Sequence, residues 1–253
     1  MRVSKSNRQS QILAELNVSP SLRIAELAER LNVSTETIRR DLDELNRQGQ
    51  LSRTYGGAIR ALGTEPSVAE RHALLVPERE RIARRAMPLL ASANVIMIGS
   101  GSTTVHVARR LAVERTNITV ITHSFGVATV LALNPTISTL IAPGAYHGTE
   151  GATVGVHTVS FLDTFFADAA VLGASGLTEE GPTDALLDAG AVYSAMLARS
   201  ARSVVVADHS KFDRVFPARY GAWKQIDALV SDTAPAGQLK AAMDRHRVTV
   251  AVG

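Results

Sequence analysis

The sequence predicts an α/β protein in two parts, a small N-terminal winged helix-turn-helix and a larger domain built on a mostly parallel sheet. Apolar residues recur at helical spacing through the first part of the chain and lead into a short alternating segment. From about residue 95 onward, seven aliphatic runs alternate with helical segments. That alternation is typical of a parallel sheet that helices cover on both faces.

Length and composition limit the class of protein. The 253 residues suffice for one small domain and one of medium size. No apolar run reaches the roughly 18 residues of a membrane span, and the basic amino terminus lacks the apolar stretch of a secretory signal. The absence of cysteine excludes disulfides and thiolate metal sites. We therefore expect a cytoplasmic protein without membrane association.

The positive charge of the chain lies in its first sixty residues. That segment holds ten basic and seven acidic residues, which accounts for the whole net charge of +3. The remainder holds 17 of each sign and is neutral. Only the N-terminal part therefore has a field suited to a polyanion such as DNA.

Three helices are predicted in the N-terminal part. Their apolar positions are Ile12, Leu13 and Leu16 in the first, Ile24, Leu27, Ala28 and Leu31 in the second, and Ile38, Leu42 and Leu45 in the third. Ser34 is expected to cap the third helix and Gly49 to end it. The short turn between the second and third helices predicts a helix-turn-helix.

The outward side of the third helix is the predicted DNA-reading surface. Side chains near its start would meet base edges and phosphates in a major groove, namely Ser34, Thr35, Glu36, Thr37, Arg39 and Arg40. Residues 51–55, a Gly56-Gly57 turn and residues 58–60 predict a β-hairpin, with Arg53, Tyr55 and Arg60 as further DNA contacts. The pattern alone is also compatible with a protein-interaction module whose arginines are simply solvated.

A linker is predicted between the two parts. Residues 61–80 contain Gly63, Pro66 and Pro77 in a mixed-charge stretch, with room for one turn of helix. The helical pattern resumes over residues 81–90. The predicted domains are therefore residues 1–60, the linker 61–80, and residues 81–253.

The larger domain is predicted to contain seven buried strands. They lie at residues 95–98, 118–121, 139–141, 169–172, 204–207, 228–230 and 248–252. Because ligands of such sheets bind beyond the carboxyl ends of the strands, the loops that follow them are the candidate site.

The loop after the first of these strands has the composition of a phosphate site. It consists of Gly99, Ser100, Gly101, Ser102, Thr103 and Thr104. Glycine allows close approach of the backbone, the following helix offers amide donors, and the hydroxyls add more. Thr104 replaces the last small residue of a dinucleotide fingerprint, no acid follows the second strand, and no Walker lysine is present. A dehydrogenase or a P-loop enzyme is therefore not expected.

Several motifs resemble the DeoR family of bacterial regulators. Residues 34–42, then Gly49 and residues 53–58, resemble its DNA-binding signature in order and spacing. Similar agreement is found at Thr122-His123-Ser124, Pro143-Gly144, Gly173-Ala174-Ser175-Gly176 and Ala207-Asp208-His209-Ser210-Lys211-Phe212, and at Glu65 and Arg71. The resemblance runs from about Arg8 to Asp232.

The resemblance implies a DNA-binding transcriptional regulator, in most members a repressor, whose larger domain senses a sugar phosphate and is similar in fold to ribose-5-phosphate isomerase. The implied partners are double-stranded operator DNA, a phosphorylated sugar, and further copies of the chain in a dimer or tetramer. The effector-binding residues implied by the loop and the motifs together are Gly99, Ser100, Gly101, Ser102, Thr103, Thr104, Thr122, His123, Ser124, Gly144, Asp208 and Lys211.

Two departures from the family pattern bear on catalysis. Ser175 stands where the family often has Asp, and Tyr193 stands where a lysine is expected. Because an aldose-ketose isomerase needs a base and a cation, binding without turnover is preferred. The alternatives are a sugar-phosphate isomerase with an accessory DNA-binding segment and a structural DNA binder whose large domain only oligomerises.

Single residues leave further alternatives open. His123 is compatible with a satisfied polar residue at a strand end, and Lys211 with an ion pair to Asp208 or Asp213. Asp184 and Asp188 are compatible with the start of a helix. The histidines are scattered and form no cluster with metal spacing, so neither a metal ion nor a cofactor is expected.

Overall fold

The computed structural model describes residues 5–18, 21–47, 51–54, 57–60 and 65–253. The chain divides into two compact units, residues 1–64 and residues 65–253. The first is a winged helix-turn-helix and the second an α/β domain on a parallel sheet, so the predicted fold class is confirmed.

The first unit has three helices and a three-stranded antiparallel sheet. Its elements are α1 (Lys5–Val18), β1 (Ser21–Arg23), α2 (Ile24–Arg30), α3 (Thr35–Arg47), β2 (Leu51–Thr54) and β3 (Gly57–Arg60). The sheet order is β1-β3-β2. The predicted apolar positions Leu27, Ile38 and Leu42 are fully buried in one core. The three helices follow from the periodicity, whereas β1, only three residues long, was not predicted.

The predicted helix cap and hairpin are both present. The Ser34 hydroxyl accepts from the Thr37 backbone N–H at 3.2 Å and caps α3. The hairpin pairs Thr54 with Gly57, so Gly57 belongs to β3 rather than to the turn. Gly49, predicted to end α3, lies outside the described residues.

The second unit alternates strands and helices along the chain. Its elements are α4 (Val68–His72), α5 (Val76–Ala86), a 3-10 turn (Met87–Leu90), β4 (Val95–Ile98), α6 (Ser102–Glu114), β5 (Thr119–Thr122), α7 (Phe125–Leu131), β6 (Ser138–Ile141), β7 (Ala145–His147), β8 (Ala152–Val154), α8 (Val156–Leu162), β9 (Ala169–Leu172), β10 (Gly176–Thr178), β11 (Gly181–Asp184), α9 (Leu187–Ala198), β12 (Ser203–Val206), β13 (Ala218–Arg219), β14 (Ala228–Ser231), α10 (Gly237–Arg245) and β15 (Thr249–Val252). Two further 3-10 turns span His209–Lys211 and Trp223–Gln225.

All seven predicted aliphatic runs form one parallel sheet, in the order β15-β14-β12-β9-β4-β5-β6. Side chains alternate between its faces: Ile96 and Ile98 pack with α5, α6 and α7, and Met97 packs with the core that contains α9 and α10. The short strands β7, β8, β10, β11 and β13 were not predicted.

The segment predicted as a linker belongs largely to the second unit. Residues 65–80 contain α4 and the start of α5, which begins at Val76 rather than at residue 81. Pro77 in the first turn favours that start. Arg71 and Arg79 are buried and paired with acids of the second unit, which explains why the segment packs there.

The sheet order creates a switch point between β4 and β9. From β4 the chain proceeds to β5 and β6 on one side, and β9, β12, β14 and β15 then follow on the other. The helices after β4 and β9 therefore diverge and leave a crevice at the carboxyl ends of these strands.

Candidate functional site

The described part of the first unit exposes two adjacent arginines on α3. The Arg39 and Arg40 side chains are 57% and 76% exposed, Arg40 on the side of α3 away from buried Ile38 and Arg39 on its flank. Glu36 lies 3.5 Å from Arg39 and 3.9 Å from Arg40. Such exposed pairs stabilise a helix by only a few tenths of a kcal/mol, about 0.3–0.5, so phosphates or bases can replace Glu36 as the partner.

One acidic residue of the same motif, Asp41, has a structural role. Asp41 is buried and accepts hydrogen bonds from Arg8 at 2.5 and 3.1 Å, which fixes α1 against α3. This hydrogen-bonded pair raises the pKa of Arg8. Three other residues at the start of α3 were predicted to read DNA. Ser34 and Thr35 are exposed, and Thr37 is half-buried.

The DNA contacts predicted on the wing involve side chains outside the described part of the chain. Tyr55 lies outside the described residues, and so do the side chains of Arg53 and Arg60, whose backbones belong to β2 and β3. Their DNA contacts stay predictions.

The second unit has a narrow cavity at the switch point of its sheet. Loops that follow β4, β9 and β12 meet there with α4, α9 and the loop between β7 and β8. The lining residues are Glu65, Arg71, Ser100, Gly101, Ser102, Thr103, Glu150, Gly173, Ala174, Ser175, Asp184, Tyr193 and Lys211. The predicted loop and Lys211 therefore reach one cavity. Their strands are not adjacent as expected, because β9 lies between β4 and β12.

The loop after β4 presents the start of α6 to the cavity. Gly101 precedes the helix with φ +127°, a conformation that side chains rarely tolerate. Ser102 and Thr103 follow as the first helical residues, whose amides have no carbonyl partner within the helix. Thr104 instead donates its hydroxyl hydrogen to the Gly101 carbonyl at 2.8 Å and braces the turn.

Two buried tyrosines hold the rim of the cavity. The Tyr193 hydroxyl lies 2.9 Å from both the carbonyl and the hydroxyl of Ser100, and the Tyr220 hydroxyl donates to the Gly173 carbonyl at 2.5 Å. The rings meet edge to face at 5.1 Å. A β-carbon at Gly99 would lie 2.7 Å from the Tyr193 ring, so this position needs glycine for packing rather than for a ligand. Tyr193, which stands where a lysine was expected, thus holds the loop after β4 in place through Ser100.

His123 is a structural residue. It is fully buried; its Nε2 accepts from the Ser100 backbone N–H at 3.0 Å and its Nδ1–H donates to the Thr153 carbonyl at 2.6 Å. Accepting at Nε2 requires the neutral ring, and burial lowers the pKa of His123 to about 4. Of the two alternatives left open by the sequence, the structure places His123 as the satisfied polar residue.

Four other predicted residues also lie behind the cavity. Thr122 donates to the Ile98 carbonyl at 2.6 Å, and Ser124 caps α7. A β-carbon at Gly144 would lie 2.7 Å from the Val154 carbonyl. Asp208 is fully buried beside Arg79 at 3.4 Å and accepts from the Ser210 backbone at 3.1 Å. None of these residues lines the cavity, and each makes structural contacts instead. Their contacts with an effector stay predictions.

A buried chain of charges crosses the cavity. Glu65 Oε1 lies 2.5 Å from Lys211 Nζ and 2.9 Å from Arg71, and Arg71 also donates to Glu150 at 2.6 Å. All four side chains are at most 13% exposed. The carboxylates raise the pKa of Arg71 although burial opposes it. Lys211 therefore pairs with Glu65, which the sequence interpretation did not consider as its partner.

Asp184 adds a third carboxyl group to the lining. It accepts from the Leu186 backbone at 2.9 Å, and the Ser175 hydroxyl lies 3.5 Å away. Burial raises the pKa of Asp184 to about 6. Ser175 stands where the family often has an acid, but Asp184 brings a carboxyl group to the same cavity.

The sequence interpretation missed Glu65, Arg71, Glu150 and Asp184 as site residues. Glu65 and Arg71 carried a family resemblance, but no local pattern indicated that they reach Lys211 and Glu150. Among the described residues, no group of three or more acids, histidines or cysteines is arranged to hold a metal ion. Within the same part of the chain, no helix is long and apolar enough to cross a membrane.

Family models match both units. Residues 8–62 match the DeoR-like helix-turn-helix domain, and residues 76–233 match the DeoR C terminal sensor domain. Among curated relatives, the HTH-type transcriptional repressor CsqR of Escherichia coli is 29% identical over 96% of this chain and 94% of its own. The glycerol-3-phosphate regulon repressor of Escherichia coli is 28% identical over 97% and 98%, and the lactose phosphotransferase system repressor of Lactococcus lactis is 30% identical over 91% and 92%.

Solved structures show more distant likenesses. A D-ribose-5-phosphate isomerase in complex with phospho-erythronic acid covers 53% of this chain and 52% of its own at 18% identity, with a TM-score of 0.40. The tetrameric eIF2B-beta2-delta2 complex of C. thermophilum covers 97% and 90% at 11% identity, with a TM-score of 0.48. Likenesses at this level carry no argument about function.

Proposed function

The chain belongs to the DeoR family of transcriptional regulators, and from that premise we propose that it is a repressor whose operator binding is controlled by a phosphorylated sugar. One observation carries the proposal: the start of α6, with Ser102 and Thr103, faces Lys211 and Arg71 in a single cavity at the switch point of the sheet. Hydroxyls, helix amides and two cations are the groups that bind a phosphate.

The cavity lining opposite the start of α6 is suited to the hydroxyl groups of a sugar. Glu150 and Asp184 are acceptors for sugar hydroxyls, and Ser175 is both donor and acceptor. A phosphate at the helix start with carboxylates across the cavity would orient a polyol between them. This arrangement supports a phosphorylated sugar over a nucleotide, because no aromatic face among the described lining residues is placed to stack on a base: Tyr193 is buried by its ring contacts.

The first unit supports the operator half of the proposal. The exposed arginines of α3 are placed as they would be on a recognition helix, and the hairpin β2–β3 supplies a wing. The curated relatives are named as repressors, which favours repression over activation. We propose that the chain acts in the cytoplasm as a homo-oligomer on repeated half-sites spaced by multiples of about 10 bp.

The test compares a sugar phosphate with its parent sugar as effectors of the operator complex. The phosphate should change operator affinity about 5–150-fold, the range expected for a coupling of 1–3 kcal/mol. The parent sugar should have little effect, because it leaves the cations and helix amides without an anion. The measurement is fluorescence anisotropy of labelled operator, after a thermal-shift screen has identified a binding sugar phosphate. Equal responses to the sugar and its phosphate would remove the phosphate site from the proposal.

One observation favours a second candidate, a sugar-phosphate isomerase. Asp184, with its pKa raised to about 6, and Lys211 both line the cavity, and a base and a cation are what enediol chemistry requires. We expect binding without turnover, as the named relatives are regulators. An aldose phosphate incubated with the protein in D2O should therefore keep its C2 hydrogen, as followed by proton NMR. Loss of that signal at an enzymatic rate, abolished by Asp184→Asn, would instead establish the isomerase.

A further inference from the structure

A carboxylate of the chain itself holds the cations of the proposed phosphate site. Glu65 is the first residue of the second unit, and its Oε1 contacts Lys211 Nζ at 2.5 Å and Arg71 at 2.9 Å. Its side chain is 3% exposed. A carboxylate in that position mimics one edge of a phosphate group.

The charges of the cavity do not favour a dianion while Glu65 is present. The lining contains two cations, Arg71 and Lys211, and three carboxyl groups, Glu65, Glu150 and Asp184. With Asp184 ionised, a phosphate would enter a site of net negative charge at low local dielectric, where like charges repel strongly. Departure of Glu65 leaves two cations against two carboxyl groups and frees the Lys211 ammonium.

Glu65 is held at one oxygen only. Its Oε2 is buried and has no hydrogen-bond partner among the described residues, and neither has Arg71 Nε. A buried polar atom without a partner costs free energy, which offsets part of the attraction between Glu65 and the two cations. A phosphate, with more acceptor oxygens, can satisfy more donors in the same place.

The local backbone allows Glu65 to leave without unfolding α4. Ser67 caps α4 in a capping box with Glu70, and Glu65 precedes that cap. The helix is held independently, since Arg71 also pairs with Glu150 and the Val68 N–H donates to the Thr149 carbonyl at 2.8 Å. Glu65 can therefore leave Lys211 without disturbing α4, and it is the residue at which the second unit begins along the chain.

We infer that Glu65 is an intramolecular competitor of the effector phosphate, and that its displacement from Lys211 transmits effector binding to the segment joined to the DNA-binding unit. This inference rests on the proposed function, because it assigns the regulation of the same site. A ligand changes operator affinity only if it favours one of two arrangements of the protein. Glu65 bound to Lys211 and Glu65 released are two such arrangements.

The first experiment measures the affinity of inorganic phosphate by calorimetry for the full chain and three variants. Glu65→Gln keeps the size of the side chain and removes its charge. It should bind phosphate about 10–100-fold more tightly, as expected if the competent arrangement is populated at about 1–10% in the wild type. Lys211→Met should lose phosphate binding. Glu180→Gln, an exposed glutamate outside the cavity lining, should bind like the wild type.

The second experiment follows amide hydrogen exchange in the wild-type chain and needs no variant. Saturating phosphate should speed exchange of the residue 65 amide in peptides that cover residues 65–67, while the Ser67 amide, which donates to Glu70, stays protected together with α4 and α6. In Glu65→Gln the same peptides should exchange fast without phosphate, and its operator affinity should already be shifted toward the phosphate-bound value.

The outcomes separate this inference from the proposed function. If Glu65→Gln binds phosphate no more tightly than the wild type while Lys211→Met has lost binding, the competition is overturned and the phosphate site stands. If phosphate leaves exchange at residues 65–67 unchanged, the transmission is overturned. If Lys211→Met binds phosphate normally, the cavity is not the anion site and the proposed function fails with it.

Discussion

Replacing both Arg39 and Arg40 with alanine should abolish specific operator binding and leave effector binding unchanged. Each arginine that reads a base contributes about 1–3 kcal/mol of discrimination, so the double variant should lose several orders of magnitude in specific affinity. Both side chains are more than half exposed, and their pairs with Glu36 are exposed ones that contribute little, so their removal should cost the unit little stability.

Arg30→Ala is the matched control for this experiment. Arg30 is exposed and paired with Glu15, and it lies on α2 rather than on α3. Its loss removes one positive charge from the same unit, against two in the double variant, and should weaken binding only slightly. Operator titrations at several salt concentrations measure both effects, because lost phosphate contacts reduce the salt dependence whereas lost base contacts reduce sequence preference. Operator affinity equal to wild type in the double variant would refute the assignment of α3 as recognition helix.

Lys211→Met should uncouple the operator complex from its effector. The Lys211 side chain is 10% exposed and lines the cavity, and truncating one partner of a buried hydrogen-bonded charge pair costs about 2–5 kcal/mol of binding. Without effector, the operator affinity of this variant should shift in the same direction as that of Glu65→Gln, because the substitution also removes the contact that holds Glu65. A sugar phosphate that releases the wild-type protein should therefore have no effect on the variant at the same concentration.

Lys224→Met provides the control for Lys211→Met. Lys224 is exposed and does not line the cavity, so the same substitution there should leave the effector response intact. Circular dichroism of both variants checks that the fold is unchanged. A Lys211→Met protein that still responds at wild-type effector concentrations would place the effector elsewhere.

The sequence was most informative where burial imposes a periodic pattern. All seven strands of the parallel sheet were predicted to within a residue or so at either end, because strands covered on both faces consist of consecutive aliphatic residues. The three helices of the first unit followed from apolar positions on one face. The start of α5 was placed five residues late, since the charged run from Glu78 to Arg81 obscured the apolar stripe.

Short strands escaped prediction for the opposite reason. β1, β7, β8, β10, β11 and β13 are two to four residues long and carry no pattern that distinguishes them from loops. Pairing with a partner distant in sequence is what makes them strands: Thr183 of β11 pairs with Gly176 of β10 and with Arg219 of β13. Such pairings depend on tertiary structure rather than on propensity.

Residues of the candidate site also divide into those that the sequence predicted and those that only the tertiary structure brought together. Of the residues predicted to bind the effector, Ser100, Gly101, Ser102, Thr103 and Lys211 line the cavity. Each of these residues lies in the segment after β4 or β12, two strands whose ends were predicted from the sequence. The other predicted residues form structural hydrogen bonds or, as glycines, allow close packing, because a motif fixes position along the chain and not the contacts that the fold makes there.

By itself the sequence determined the fold class, the two-part organisation, the family and the position of the glycine- and hydroxyl-rich loop after β4, since these depend on local periodicity and contiguous motifs. Only the tertiary structure decided which charges meet. Lys211 and Glu65 are 146 residues apart, and Arg71 and Glu150 are 79 apart. Ion pairs leave no periodic trace in a sequence, because either partner can be any charged residue that the fold brings within about 4 Å. The role of Glu65 therefore became visible only once the chain was folded.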